Sequence, residues 1–192
     1  MRFEVTRRYW FPKPYADLAA RLRVPLGFVL VAAFAWFSKP DAWSLAWGLP
    51  VAAAGLLLRG WAAGHLAKNE RLATSGPYAH VRNPLYVGTA LAAAGLAIAS
   101  REPLLAALFA AAFAFVYLPA IELEEQHLRK LFPEYKLYAQ RVPMLWPRLR
   151  ATGTARFEWR LYRKNEEYQA LIGYMAGAAL LVWKAISFPP GG

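Results

Sequence analysis

Residues 103–121 read PLLAALFAAAFAFVYLPAI, and no charged side chain falls anywhere between Leu104 and Ala120. A helix on the surface of a water-soluble bundle keeps a polar stripe at the 3.6-residue period, so a run apolar on every face belongs in a membrane or deep in a large core. The remainder of the chain is no source of such a core. It has 192 residues, 58% of them hydrophobic, with a mean hydropathy of +0.22, and a soluble domain of that size places more of its residues in a solvated shell. Outward from this run lie four more: Pro25 to Ser38, Ala42 to Leu58, Pro84 to Ser100, and Ala170 to Phe188, the last broken only by Lys184. Crossing the hydrocarbon takes about 20 residues, with a range of roughly 17 to 25. The first run is short and borrows residues upstream from Leu18, with Arg21 and Arg23 snorkelling to the interface. The expected fold is all-α, an integral membrane bundle of five transmembrane helices at about 18–38, 42–58, 84–100, 103–121 and 170–188, forming one domain over 1–192.

Composition removes several alternatives. With no Cys, the chain has no disulfide, zinc ribbon or cysteine nucleophile. Its apolar and aromatic content rules out disorder. The net charge of +11 suits either nucleic acid or anionic phospholipid, and the placement of charge separates these. The 23 Lys and Arg residues fall as 6, 1, 4, 1, 10 and 1 in the segments before, between and after the apolar runs. Rich and poor segments alternate, as they do when Lys/Arg-rich loops stay cytoplasmic. The expected topology has the N-terminus and the loops 59–83 and 122–169 in the cytoplasm, with short hairpins at 39–41 and 101–102 outside, each marked by a Pro. The basic excess then faces lipid headgroups rather than nucleic acid. Tyr9-Trp10-Phe11, beside Arg7 and Arg8, reads as an interfacial anchor and not as part of a cleavable leader. The Ala-, Leu- and Arg-rich composition points to a prokaryotic plasma membrane.

The chemistry is concentrated in the two loops. Residues 74–88 contain a Gly76-Pro77 turn, then Arg82-Asn83-Pro84 leading into the third span, where Pro84 suits a first helical turn. A helix start at the membrane edge favours anions. By itself Arg82 reads equally as a positive-inside residue. The second loop opens with Glu122, Glu124 and Glu125, carboxylates that demand cationic partners at a membrane boundary. Glu125 and Arg129 stand at i,i+4, and Leu128 and Phe132 continue an apolar stripe, so the fourth helix should run several turns beyond the bilayer. Tyr135, Tyr138, Pro143, Trp146 and Pro147 supply rigid aromatic surface. His65, His80 and His127 are too few for a multi-histidine iron site, and Glu124-x-x-His127 alone makes half of a helical metal site, so no metal is expected.

Taken together, Gly76-Pro77-Tyr78-x-x-x-Arg82-Asn83-Pro84-x-Tyr86-x-Gly88, then Glu124-Glu125-x-x-Leu128-x-x-x-Phe132, Tyr135, Tyr138 and Val142-Pro143-x-x-x-Pro147 resemble the isoprenylcysteine carboxyl methyltransferase family over about residues 54 to 147. Membrane phospholipid methyltransferases and sterol reductases share parts of both blocks. One position departs: Asn83 stands where the family usually has His. The resemblance implies an S-adenosylmethionine-dependent methyltransferase acting on a lipophilic acceptor, an isoprenoid or lipid carboxylate first and an amine second. It implies that Tyr78, Asn83, Pro84, Tyr86 and Gly88 line the cofactor site from one side and Glu124, Glu125, Tyr135, Tyr138 and Pro143 from the other. Arg82 and Glu125 then lie nearest the reacting centre, with Arg82 orienting an acceptor carboxylate. The sequence agrees in lacking any strand-Gly-x-Gly-x-x-Gly-helix unit, so no Rossmann sheet is expected. A nicotinamide-dependent reductase is the rival enzyme. A carrier is disfavoured because Lys184 is the one charge placed within a span.

Overall fold

The computed structural model describes residues 10–148 and 156–188, and Arg7, Arg8 and Tyr9 of the expected anchor lie outside the described residues. The described chain is all-helical. Its main helices are α1 (Lys13–Phe37), α2 (Ala42–Ala63), α3 (Pro84–Ser100), α4 (Pro103–Leu131), α5 (Tyr135–Arg141), α6 (Trp159–Lys164) and α7 (Tyr168–Ser187). Four of these, α1, α2, α4 and α7, are long and apolar enough to cross a membrane, and α3 is a shorter apolar helix of 17 residues. The protein is an integral membrane helical bundle. Two boundaries differ from expectation. The first helix starts at Lys13 because Pro12 precedes it and Pro14 fits its first turn. The second continues past Leu58 to Ala63, so Arg59 is helical and not in a loop.

The α2–α3 hairpin is the tightest contact. Asp41 caps α2, accepting the Ser44 amide while the Ser44 hydroxyl takes the Asp41 amide, a reciprocal capping box. Along the two facing stripes stand Gly48, Ala52 and Gly55 on α2 and Gly88, Ala92, Gly95 and Ala99 on α3. A Cβ on Gly48, Gly55 or Gly95 would run into the backbone of the other helix. In lipid, where apolar surface gains nothing by leaving the solvent, such small-residue stripes let helices approach closely enough for dispersion and carbonyl contacts to hold them.

The fourth helix is interrupted by a five-residue π-wound segment, Phe113–Tyr117. Pro119 accounts for part of it, because it has no N–H to offer the Phe115 carbonyl one turn back. The Tyr15 hydroxyl of α1 donates to that carbonyl at 2.6 Å. Helix α4 then continues ten residues past Ile121 to Leu131, as its apolar stripe implied.

The bundle has two distinct ends. At the hairpin end, Phe34, Ala99, Leu105 and Leu181 form a small core, and the Lys184 ammonium donates to the terminal α1 carbonyls of Ala35 (3.0 Å) and Trp36 (3.3 Å). At the opposite end lie the loops after α2 and α4. The first described residues lie there too: the amides of Trp10 and Phe11 donate to the two oxygens of Glu122 at 2.8 and 3.1 Å.

Candidate functional site

The two sequence blocks meet at the loop end. Pro84 is the first residue of α3 and is fully buried, which holds Arg82 and Asn83 directly before the helix. The 142–148 segment folds back along this turn. The Arg82 amide donates to the Pro143 carbonyl (2.9 Å), the Arg148 amide donates to the His80 carbonyl (2.9 Å), and Nδ1 of His80 lies 2.6 Å from the Arg148 carbonyl.

Within this clamp the Arg82 guanidinium forks onto Glu125, Nε to Oε1 at 2.8 Å and Nη2 to Oε2 at 3.1 Å. Its Nη1 donates to the carbonyls of Ala139 (2.7 Å) and Val142 (3.3 Å). Asn83 is buried and, instead of capping α3 with its side chain, donates from Nδ2 to Glu125 Oε1 (3.0 Å) and the Met144 carbonyl (3.3 Å). The amide therefore fills a hydrogen-bonding role here that an imidazole would meet with one N–H. The side chains of Arg82 and Glu125 are only 12% and 9% exposed, so the pair sits in a weakly screened setting. Such a pair is held by its geometry and by satisfying the remaining donors and lone pairs. Arg129, the i,i+4 partner read from sequence, stands farther from Glu125 at 3.9 Å and places its guanidinium 5.5 Å above the Tyr135 ring.

The aromatic residues ring this knot. Tyr135 and Tyr138 meet edge to face at 5.8 Å, and the Tyr138 hydroxyl donates to the Tyr78 carbonyl at 2.7 Å. Burial drives the phenols of Tyr78, Tyr135 and Tyr138 above their ordinary range, with Glu124 adding to the effect at Tyr78 and Glu125 at Tyr135. The Tyr135 hydroxyl is buried and, among the described residues, has no hydrogen-bond partner of good geometry although Glu125 is close by. Glu124 lies on the neighbouring face of α4 and accepts the Tyr86 hydroxyl at 2.9 Å.

The structure thus brings Tyr78, Arg82, Asn83, Glu125, Tyr135, Tyr138 and Pro143 together, with Tyr86 and Glu124 beside them. Gly88 faces elsewhere, against the Gly55 carbonyl and the aliphatic stem of Arg59. The bidentate partner of Arg82 is a carboxylate of the protein itself, Glu125.

A second buried pair was not read from the sequence. Arg59 at the end of α2 forks onto Glu167 just before α7, Nε to Oε1 at 2.6 Å and Nη2 to Oε2 at 3.0 Å, and also donates to the Thr89 hydroxyl. Its only sequence signal was a cation closing an apolar run, which looks the same as any positive-inside residue. Asn165 adds a related contact by donating to the Ala63 and Leu66 carbonyls at 2.9 Å, closing the C-terminus of α2.

Fold and site together define a membrane-embedded helical protein whose polar centre is built at one end of the bundle. The family profile described as phospholipid methyltransferase matches residues 51–135, which includes α2 from residue 51 onward, all of α3, the Arg82 turn and the Glu124-Glu125 pair. The chain is 33% identical over 169 residues to the nickel-cobalt-cadmium resistance protein NccN of Alcaligenes xylosoxydans xylosoxydans, covering 84% of this chain and 75% of that protein. It is 39% identical over 104 residues to the cobalt-zinc-cadmium resistance protein CzcN of Cupriavidus metallidurans, covering 53% of this chain and 47% of that one. No solved structure matches the chain. The chain belongs to the phospholipid methyltransferase family of membrane methyltransferases.

Proposed function

We propose that this membrane methyltransferase uses S-adenosylmethionine to methylate a lipophilic acceptor at the loop end of the bundle, with a lipid or isoprenoid carboxylate as the acceptor class. The observation that carries the reading is the convergence of two distant blocks, Arg82-Asn83 and Glu124-Glu125, in one weakly exposed knot. Two features fit a cationic guest rich in hydrogen-bonding groups. Glu124 accepts a single hydrogen bond among the described residues, and the buried Tyr135 hydroxyl has no partner of good geometry among them. When bound, the cofactor supplies a methyl carbon on a sulfonium, whose C–S electron pair stays on sulfur as an acceptor oxygen takes the carbon, so a carboxylate acceptor gives up no proton.

The residues of the chain divide the work between holding and aligning. Arg82 and Asn83 occupy Glu125 and thereby fix α4 against the α3 start and the 142–148 segment, which makes Arg82 a positioning residue in this reading. Glu124 is the carboxylate with capacity to spare for a cationic group. Tyr78, Tyr135 and Tyr138 exclude water from the knot, which strengthens its electrostatics and suits a displacement that depends on alignment more than on proton transfer. An amine acceptor is the second reading, since it would need a nearby base and Glu124 is the less committed carboxylate.

We place the loop end in the cytoplasm of a prokaryotic plasma membrane, as the distribution of Lys and Arg supports. The names of both relatives concern metal resistance, and in this reading the methylated species is a membrane constituent, not the metal. Calorimetry with S-adenosylhomocysteine on the purified chain in detergent tests the cofactor. Glu124→Gln should weaken binding at least tenfold, while NADPH should not bind. Unchanged affinity in both Glu124→Gln and Glu125→Gln would remove these carboxylates from the cofactor site.

A further inference from the structure

A cavity of about 1140 Å³ forms an apolar cleft lined by α1, α2, α3, α4 and α7. It runs from Arg101 and Glu102 at the hairpin end to Arg59, Thr89 and Tyr117 at the loop end. Its volume slightly exceeds the range of about 300 to 1,000 Å³ usual for small-ligand sites, which suits a long chain. At the loop end the π-wound turn of α4 sets the edge of Tyr117 against Tyr86, ring centres 6.2 Å apart at 77°. Tyr86 is therefore the junction between cleft and polar site, because its hydroxyl is already on Glu124.

One cation stands at that junction uncommitted. Arg23 of α1 donates from Nη1 to the Tyr86 hydroxyl at 3.5 Å, its guanidinium is exposed, and among the described residues no carboxylate pairs with it. Arg59 and Arg82, the other arginines nearby, are consumed by Glu167 and Glu125. Arg23 also stands one helical turn from Gly27 and two from Leu30, both of which line the cleft, so it shares their face of α1.

We infer that Arg23 recognises the head group of the acceptor, an amphiphile with an anionic head and one apolar chain laid in the cleft. This rests on the acceptor side of the proposed reaction. An anion arriving at Tyr86 also meets Glu124, and Arg23 is the neighbouring positive charge that offsets this repulsion. A cationic or amine head would instead be drawn to Glu124 and repelled by Arg23, so the two residues sort head groups by sign. Gly27 gives the cleft a lever, since a side chain added there meets nothing within 4 Å and would project into open space without straining the fold.

The test is retention of radiolabelled palmitate by the purified full chain in neutral detergent micelles, with hexadecanol and hexadecylamine as chain-matched competitors. A lost charge-assisted contact corresponds to roughly a ten- to hundredfold weakening. Arg23→Gln should show that loss for palmitate, Arg23→Lys should recover part of it, and hexadecanol should compete equally against all three proteins. Gly27→Leu should weaken palmitate and hexadecanol together. Unchanged palmitate affinity in Arg23→Gln, unchanged affinity in Gly27→Leu, or hexadecylamine outcompeting palmitate in the wild type would each overturn the inference. Calorimetry with S-adenosylhomocysteine separates the two ideas. Its binding should be the same in Arg23→Gln as in wild type, and its failure to bind the wild type would defeat the proposed reaction while palmitate retention still reports on Arg23.

Discussion

At the hairpin end, Arg101 pairs with Asp41 and Lys39 with Glu102, and the two cations are 48% and 75% exposed. At the loop end, Arg82 with Glu125 and Arg59 with Glu167 also pair a cation with a carboxylate, but the two cations are only 12% and 25% exposed and both contacts are two-pronged. The difference lies in what surrounds the charges. Exposed pairs are screened and lose side-chain entropy on forming, so they add little. Buried pairs have already lost their hydration, so removing one partner strands the other. The hairpin end is held by helix packing and capping, with ion pairs as trim. The loop end depends on its ion pairs to keep three separate chain segments in register.

The sharpest way to break that contrast is to strand a buried charge. Arg82→Met should destabilise the protein by about 3 to 5 kcal/mol, measured by denaturant unfolding in detergent, and the double variant Arg82→Met/Glu125→Leu should recover a substantial part. A loss below about 1 kcal/mol, the level of exposed pairs, would make the two ends equivalent.

Between the ends, the glycine hairpin tests whether packing is as stringent as the structure implies. Gly95→Ala forces a Cβ into the Ala52 backbone, whereas Gly173→Ala on α7 meets nothing within 4 Å. Overpacking should cost roughly 1 to 3 kcal/mol in the first, and the second should be neutral or slightly stabilising, through better helix propensity. Equal stability of the two variants would show that α2 and α3 separate at little cost.

The smallest effects belong to the hairpin end. Lys39→Ala should change stability by no more than about 1 kcal/mol. Asp41 carries the pH dependence there. The Ser44 backbone N–H, and then Arg101, hold its carboxyl below the usual range despite a partial opposing effect of desolvation. A carboxyl depressed in the folded state contributes stability above its unfolded value, and that contribution is lost as pH falls through the folded one. The melting midpoint should therefore drop on acidification below about pH 4, and Asp41→Asn, which keeps a cap-forming side chain, should flatten that part of the profile. An unchanged acid limb in Asp41→Asn would assign the drop to other carboxylates.

The five apolar helices, the alternation of basic segments and the two blocks of site residues were legible in the chain itself. Transfer of a side chain from water to hydrocarbon depends on its type and helical face, both local properties, so runs such as Leu104 to Ala120 announce themselves. The extension of α4 past Ile121 to Leu131 followed from the stripe continued by Leu128 and Phe132 in the same way. Charge pairing is different. Glu125 has Arg129 at i,i+4, yet its close partner is Arg82, 43 residues away, and Arg59 finds Glu167 across 108 residues. Nor does the spacing reveal that Arg82 spends its fork on the protein while Arg23, read as a snorkelling interface residue, reaches the Tyr86 hydroxyl. Those outcomes were decided only when Gly48, Gly55, Gly88 and Gly95 let α2 and α3 close on each other and the π-wound turn re-aimed the end of α4. Which carboxylate an arginine reaches depends on helix separations of a few ångströms, and no local rule of composition or period carries that information.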